Sequence, residues 1–116
     1  TLMLLECSGV GGHLALNALP RPADVPLARW LSTFPSYGFV LAVPEAHRDA
    51  VTGLFRQRDL AIADVGRVHP GHRLTLSLEE EAGLFWDLGR TPFIGAPALQ
   101  SAIQPEPEAH HARSAF

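Results

Sequence analysis

Leu60-Ala61-Ile62-Ala63-Asp64-Val65-Gly66-Arg67-Val68-His69-Pro70-Gly71-His72-Arg73-Leu74-Thr75-Leu76-Ser77-Leu78 is the stretch whose reading decides the fold. Leu74, Leu76 and Leu78 alternate with Arg73, Thr75 and Ser77, the period of a strand with one face in the core and one in water. Pro70-Gly71 has the residue order of a type II turn, proline fixing φ and glycine supplying a positive φ. The stretch is therefore expected to be a β-hairpin, Leu60–Val68 paired with Arg73–Leu78. Hairpin strands are necessarily antiparallel, which favours an α+β fold over a doubly wound parallel sheet.

Upstream of the hairpin, Pro44 and Glu45 are expected to open a helix, with an acidic residue in its first turn and Arg56 and Arg58 near its end, as the helix dipole favours. Ala46, Ala50, Val51, Leu54 and Phe55 would form its buried stripe. Before it, Gly38–Val43 is a continuous apolar run suited to a central strand covered on both faces. Leu27, Trp30, Leu31 and Phe34 fall at helical spacing, with Pro35 ending that helix. His13–Asn17 reads as a short strand, and Pro20, Pro22 and Pro26 as a stiff extended connection. Thr1–Cys7 resembles the last turns of a helix stopped by Ser8-Gly9. So short a helix is costly to nucleate, so its beginning is expected before Thr1.

Downstream, Glu79–Glu81 should be a solvated turn and Gly83–Leu88 a last strand or edge segment carrying Phe85 and Trp86. The stretch 96–116, with Pro97, Pro105, Pro107, His110 and His111, has no sustained period and reads as a flexible tail beyond one domain at 1–95. The expected architecture is a mixed, largely antiparallel sheet packed with helices, ferredoxin-like in its nearest simple form.

A length of 116 residues suits one domain able to bury a core without disulfides. The net charge of -3 offers no electrostatic basis for binding nucleic acid. A single cysteine, Cys7, excludes an internal disulfide, which fits a cytoplasmic location. Leu2–Leu5 is far too short to cross a bilayer, so no membrane partner is expected.

The motifs that tempt a chemical reading each have a plainer one. Ser8-Gly9-Val10-Gly11-Gly12 is glycine-rich, but it follows a helix and leads into a strand, whereas a phosphate loop precedes a helix and presents its N-terminus. His69, His72, His110 and His111 lack the Cys pair, His-Glu-x-x-His or spaced carboxylate of a metal site. Cys7 reads as a buried thiol, and Ser32, Ser36 and Ser77 lack a base partner recognisable from sequence. The loop Phe34-Pro35-Ser36-Tyr37-Gly38-Phe39 joins a helix to the apolar run, and Gly38 would permit close backbone approach there; such a loop can line a ligand crevice at a sheet end.

Taken in order, Glu6-Cys7-Ser8-Gly9-Val10-Gly11-Gly12, Leu19-Pro20, Ser36-Tyr37-Gly38-Phe39-Val40-Leu41-Ala42-Val43-Pro44 and Val65-Gly66-Arg67-Val68 resemble the C-terminal domain of proteins related to aminoimidazole ribonucleotide (AIR) synthase, over about Thr1–Gly95. That superfamily includes thiamine-monophosphate kinase, selenophosphate synthetase and a hydrogenase maturation factor. Phe34–Phe39 and Leu84-Phe85-Trp86-Asp87-Leu88 look closest to an uncharacterised branch. The resemblance implies an ATP-dependent parent that phosphorylates a substrate oxygen or acceptor, with Mg2+ held by acidic residues of an N-terminal nucleotide-binding domain. It also implies a homodimer formed mainly through N-terminal domains and a small-molecule substrate in the cleft between halves. Ser8, Gly9, Ser36, Tyr37 and Gly38 would lie near that cleft, and no catalytic residue or metal ligand carries over to these positions. The expected function is thus a substrate-side domain that is not catalytic on its own. The alternative is a ferredoxin-like module that binds a small ligand or dimerises without chemistry.

Overall fold

The computed structural model describes residues 1–33 and 38–95. Among them the chain is a small α+β body: a four-stranded mixed sheet with short helices, in the order α1 (Leu2–Ser8), β1 (Gly11–Ala15), α2 (Leu27–Ser32), α3 (Arg48–Arg56), β2 (Gly66–His69), β3 (Arg73–Leu78) and β4 (Glu81–Asp87).

The opening helix ends as its sequence dictates. Gly9 adopts the left-handed conformation, φ 64°; its N–H donates to the Glu6 carbonyl at 3.1 Å, and the Val10 N–H donates to the Leu5 carbonyl at 3.1 Å. This Schellman motif turns the chain straight into β1. Leu5 is buried, and it lies against Gly12, where an added Cβ would sit 3.5 Å from a Leu5 methyl.

The sheet order is β2-β1-β3-β4. β1 pairs antiparallel with β2, Gly11 opposite His69 and Leu14 opposite Gly66. It pairs parallel with β3, Gly12 opposite Leu74 and Ala15 opposite Ser77. The expected hairpin across Pro70-Gly71 therefore does not form: β1 lies between its two arms. The connection must bridge two interstrand spacings, about 10 Å, which a tight turn cannot do. Gly71 supplies a φ of 117° to this arch. Gly11 lies beneath it, where a Cβ would meet the Arg73 carbonyl oxygen at 2.6 Å and the His69 ring at 2.8 Å. The hairpin is instead β3-β4, closed by Glu79-Glu80 with Glu79 at φ 55° and Leu78 opposite Glu81. A register shift at Leu74/Thr75 sets Leu74 opposite Trp86 and Thr75 opposite Leu84, leaving Phe85 as the bulged residue.

Three further expectations fail for one reason, the scarcity of covering layers. Gly38–Val43 is not a strand: its described residues are exposed, Phe39 at 76%, and the run borders no strand of the sheet. Phe39 meets Phe55 of α3 edge-on, with centroids 6.2 Å apart. The stripe on α3 is not buried, since Ala46, Ala50 and Leu54 are exposed and Val51 and Phe55 half-buried. Of the first arm of the hairpin, the strand covers Gly66–His69, with one further backbone bond at Val65, and Leu60 is exposed. Among the described residues the buried apolar side chains are Leu5 (5% exposed) and Leu74 (2%), a far smaller core than the length allowed. The region 96–116, read as a tail, lies outside the described residues.

Candidate functional site

Ser8 and Gly9 occupy the end of α1, where Gly9 is the helix terminator. Gly38 is in exposed chain, and among the described residues nothing lies within 4 Å of an added Cβ. Ser36 and Tyr37 lie outside the described residues. No group of three or more His, Cys, Asp or Glu converges on a metal position among the described residues. His69 Nδ1 is 2.9 Å from the Pro70 carbonyl. Cys7 is half-buried and free.

Polar chemistry gathers elsewhere, on the face of the sheet opposite Leu5. β1 and β3 run parallel in a register that sets His13 beside Thr75, two residue pairs before Ala15 and Ser77 and so on the same face. His13 Nδ1 lies 2.9 Å from Thr75 Oγ1, and its Nε2 lies 3.0 Å from Ser77 Oγ. Thr75 Oγ1 donates in turn to the Gly12 carbonyl at 3.5 Å. All three side chains are half-buried. Ser77 also borders a shallow hollow of about 280 Å³ lined by Leu16, Leu78, Glu81 and Ala82.

Arg67, opposite His13 on β2, is held by a carboxylate cluster. Its Nη1 donates to both Asp64 oxygens at 2.7 and 2.8 Å, and Glu45 approaches its Nη2 at 3.8 Å. Arg48 bridges the start of α3 to the same group, 2.8 Å from Glu45 and 3.8 Å from Asp64. The hydrogen bond from Arg67 holds the Asp64 carboxyl below its ordinary range, helped by the Arg67 charge, the Gly66 N–H and Arg48 and opposed by partial desolvation.

At the other edge, partial burial pushes the Asp87 carboxyl up but is outweighed by hydrogen bonds from Arg73 and the Gly89 N–H and by the Arg73 and Arg90 charges, so it titrates low. Arg73 Nε donates to it at 3.1 Å and Gly89 N–H at 3.0 Å. A further contact joins the two ends of the body. Glu6 accepts the backbone N–H groups of Phe93 (3.0 Å), Ile94 (2.8 Å) and Gly95 (3.0 Å), successive donors forming a concave anion nest filled by a carboxylate of the same chain.

Longer proteins share this sequence. An uncharacterized protein of Synechocystis sp., sll0787, is 43% identical over 94 residues, covering 81% of this chain. An uncharacterized protein of Methanocaldococcus jannaschii, MJ0640, is 27% identical over 93 residues, covering 80% of it. In each case the match spans only 29% of the relative's length. No protein-family model and no solved structure matches the chain. Among the described residues no helix is long and apolar enough to cross a membrane.

The His13 triad was invisible to sequence reasoning because its members stand 62 and 64 positions apart. The available signal was the alternation itself. His13 and the Thr75/Ser77 pair occupy polar-face positions of two strands, and pairing those strands brings them together.

Proposed function

We propose that the chain is the substrate-side C-terminal domain of an ATP-dependent enzyme similar to AIR synthase, without catalytic competence on its own. The supporting observation is the number of large apolar side chains left exposed: Phe39, Val40 and Leu41, with the Phe39 ring edge-on to Phe55 of α3, Leu54 of the same helix, and Leu84 and Phe85 on β4. Adjacent exposed residues such as Phe39-Val40-Leu41 suit a surface made to be covered, and the matched relatives are long enough to carry a covering domain. In this reading the missing N-terminal half supplies the Mg-ATP site, and this half supplies one wall of the substrate cleft near Ser8, Gly9, Ser36, Tyr37 and Gly38. The ferredoxin-like model shares with this sheet a central parallel pair flanked by antiparallel neighbours, but its βαββαβ order is not the one observed: β3 and β4 are joined by Glu79-Glu80 rather than by a helix, and β2 and β3 are not neighbours.

The test is calorimetry with Mg-ATP on the full-length Synechocystis relative and on this chain. The expected result is saturable binding by the full-length protein, with neither binding nor ATP hydrolysis by the chain. Absence of binding by the full-length protein sinks the enzyme reading, as does robust turnover by the chain alone. One observation favours the second reading, a dimerisation module: β4 is an edge strand with exposed Leu84 and Phe85, a geometry open to pairing with another strand. A stable dimer of a full-length protein that ignores Mg-ATP would support it.

A further inference from the structure

We propose that Ser77 is a base-activated hydroxyl that accepts an acyl group from a small activated carboxylic ester, with His13 as its proton acceptor and Thr75 as a positioning residue. The inference stands on the triad geometry and is independent of the ATP reading.

One run of donors through the group leaves Ser77 with a base. With the Thr75 hydroxyl donating to the Gly12 carbonyl, its oxygen accepts from His13 Nδ1. The lone pair is left on Nε2, and Ser77 Oγ, 3.0 Å away, donates to it. A hydroxyl beside a nitrogen base that is itself oriented by a third group is the arrangement that activates a serine nucleophile. Ala82 stands directly opposite Ser77 on β4, so a methyl rather than a bulky side chain flanks the hydroxyl and leaves room for a small acyl group.

In the step, Ser77 Oγ forms a bond to the ester carbonyl carbon while its proton passes to His13 Nε2. The bond from that carbon to the leaving oxygen breaks, and the leaving group departs with the electron pair. The products are an acyl-Ser77 ester and an imidazolium, which returns its proton to the leaving group or to water.

The probe is p-nitrophenyl acetate, with release of p-nitrophenolate followed by absorbance and the acetylated residue located by peptide mass mapping, which separates Ser77 from Cys7 and the terminal amine. The expected result is acetylation of Ser77 that His13→Gln slows about a hundredfold, the scale of positioned base catalysis. Thr75→Val should slow it severalfold and Thr75→Ser should restore it, a recovery that a purely structural role would not require. Circular dichroism establishes that each variant is folded; if His13→Gln is not, the Thr75→Val and Thr75→Ser pair decides. No acetyl group on Ser77, or equal rates in the folded variants, overturns the proposal.

Discussion

Replacing Gly66 with alanine should separate β1 from β2, because the new methyl has nowhere to go. Built on the backbone, the Gly66 Cβ overlaps the His13 carbonyl oxygen and lies 3.0 Å from the His13 carbonyl carbon and 3.1 Å from Leu14 Cα. All three are main-chain atoms of the central strand, so no rotamer change relieves the clash. The strands must part where Leu14 faces Gly66 and His13 faces Arg67, and the neighbouring bond from Ala15 N–H to the Val65 carbonyl, 2.8 Å, is strained with them. Losing two or three backbone hydrogen bonds at about 1 kcal/mol each gives a destabilisation of about 3 kcal/mol, a large fraction of the stability of any small domain. The assay is urea unfolding followed by circular dichroism, where a slope of about 1 kcal/mol/M turns that loss into a midpoint lower by roughly 3 M. Gly53→Ala is the control. Gly53 lies within α3 with nothing within 4 Å of an added Cβ, so alanine there should raise stability by about 0.5–1 kcal/mol. A Gly66→Ala midpoint within error of the parent chain would refute the close approach of β1 and β2.

Three further outcomes are expected. Glu79 at φ 55° and Asp59 at φ 54° hold a left-handed conformation that favours glycine, so Glu79→Gly and Asp59→Gly should each be neutral to stabilising by about 1 kcal/mol in the same assay. Glu6→Ala leaves the N–H groups of Phe93, Ile94 and Gly95 without their carboxylate; a loss of about 2 kcal/mol and faster amide exchange confined to those three residues should follow. Asp64 and Asp87 titrate below their ordinary range, so the stability they contribute is present above about pH 4 and is lost as the pH falls through their depressed values. Asp64→Asn and Asp87→Asn should flatten the acid limb of a plot of stability against pH, and an unchanged limb would contradict both assignments.

What the sequence revealed depended on whether a signal was local. Gly9 ended α1 as read, because a helix terminator needs only a residue tolerant of positive φ at the right place. The alternation of Leu74, Leu76 and Leu78 identified β3 correctly, since period 2 is a property of one strand alone. Its partner was misassigned because pairing depends on a segment some 60 residues distant, and Pro70-Gly71 serves an arch as readily as a tight turn. Phe39–Val43 shows the converse limit: composition measured how much surface wants covering, and no described strand or helix buries it. Of the cleft positions, Gly9 has a structural task as the helix terminator, whereas His13, Thr75 and Ser77 needed the strand order before they could be seen as one group.

The placement of β1 between β2 and β3 also constrains how the chain acquires its shape. Only β3 and β4 can zip up locally, across Glu79-Glu80. The two centre seams of the sheet must wait for Gly11–Ala15 to diffuse in from the far end of the sequence, which incurs the entropy of closing a long loop before any ladder bond repays it. Such distant pairing slows folding. A β3-β4 hairpin formed early and a β1 captured last would leave the central slot of the sheet open for the longest part of the reaction, and it is there that a competing strand, from another copy or another domain, has its best opportunity to enter.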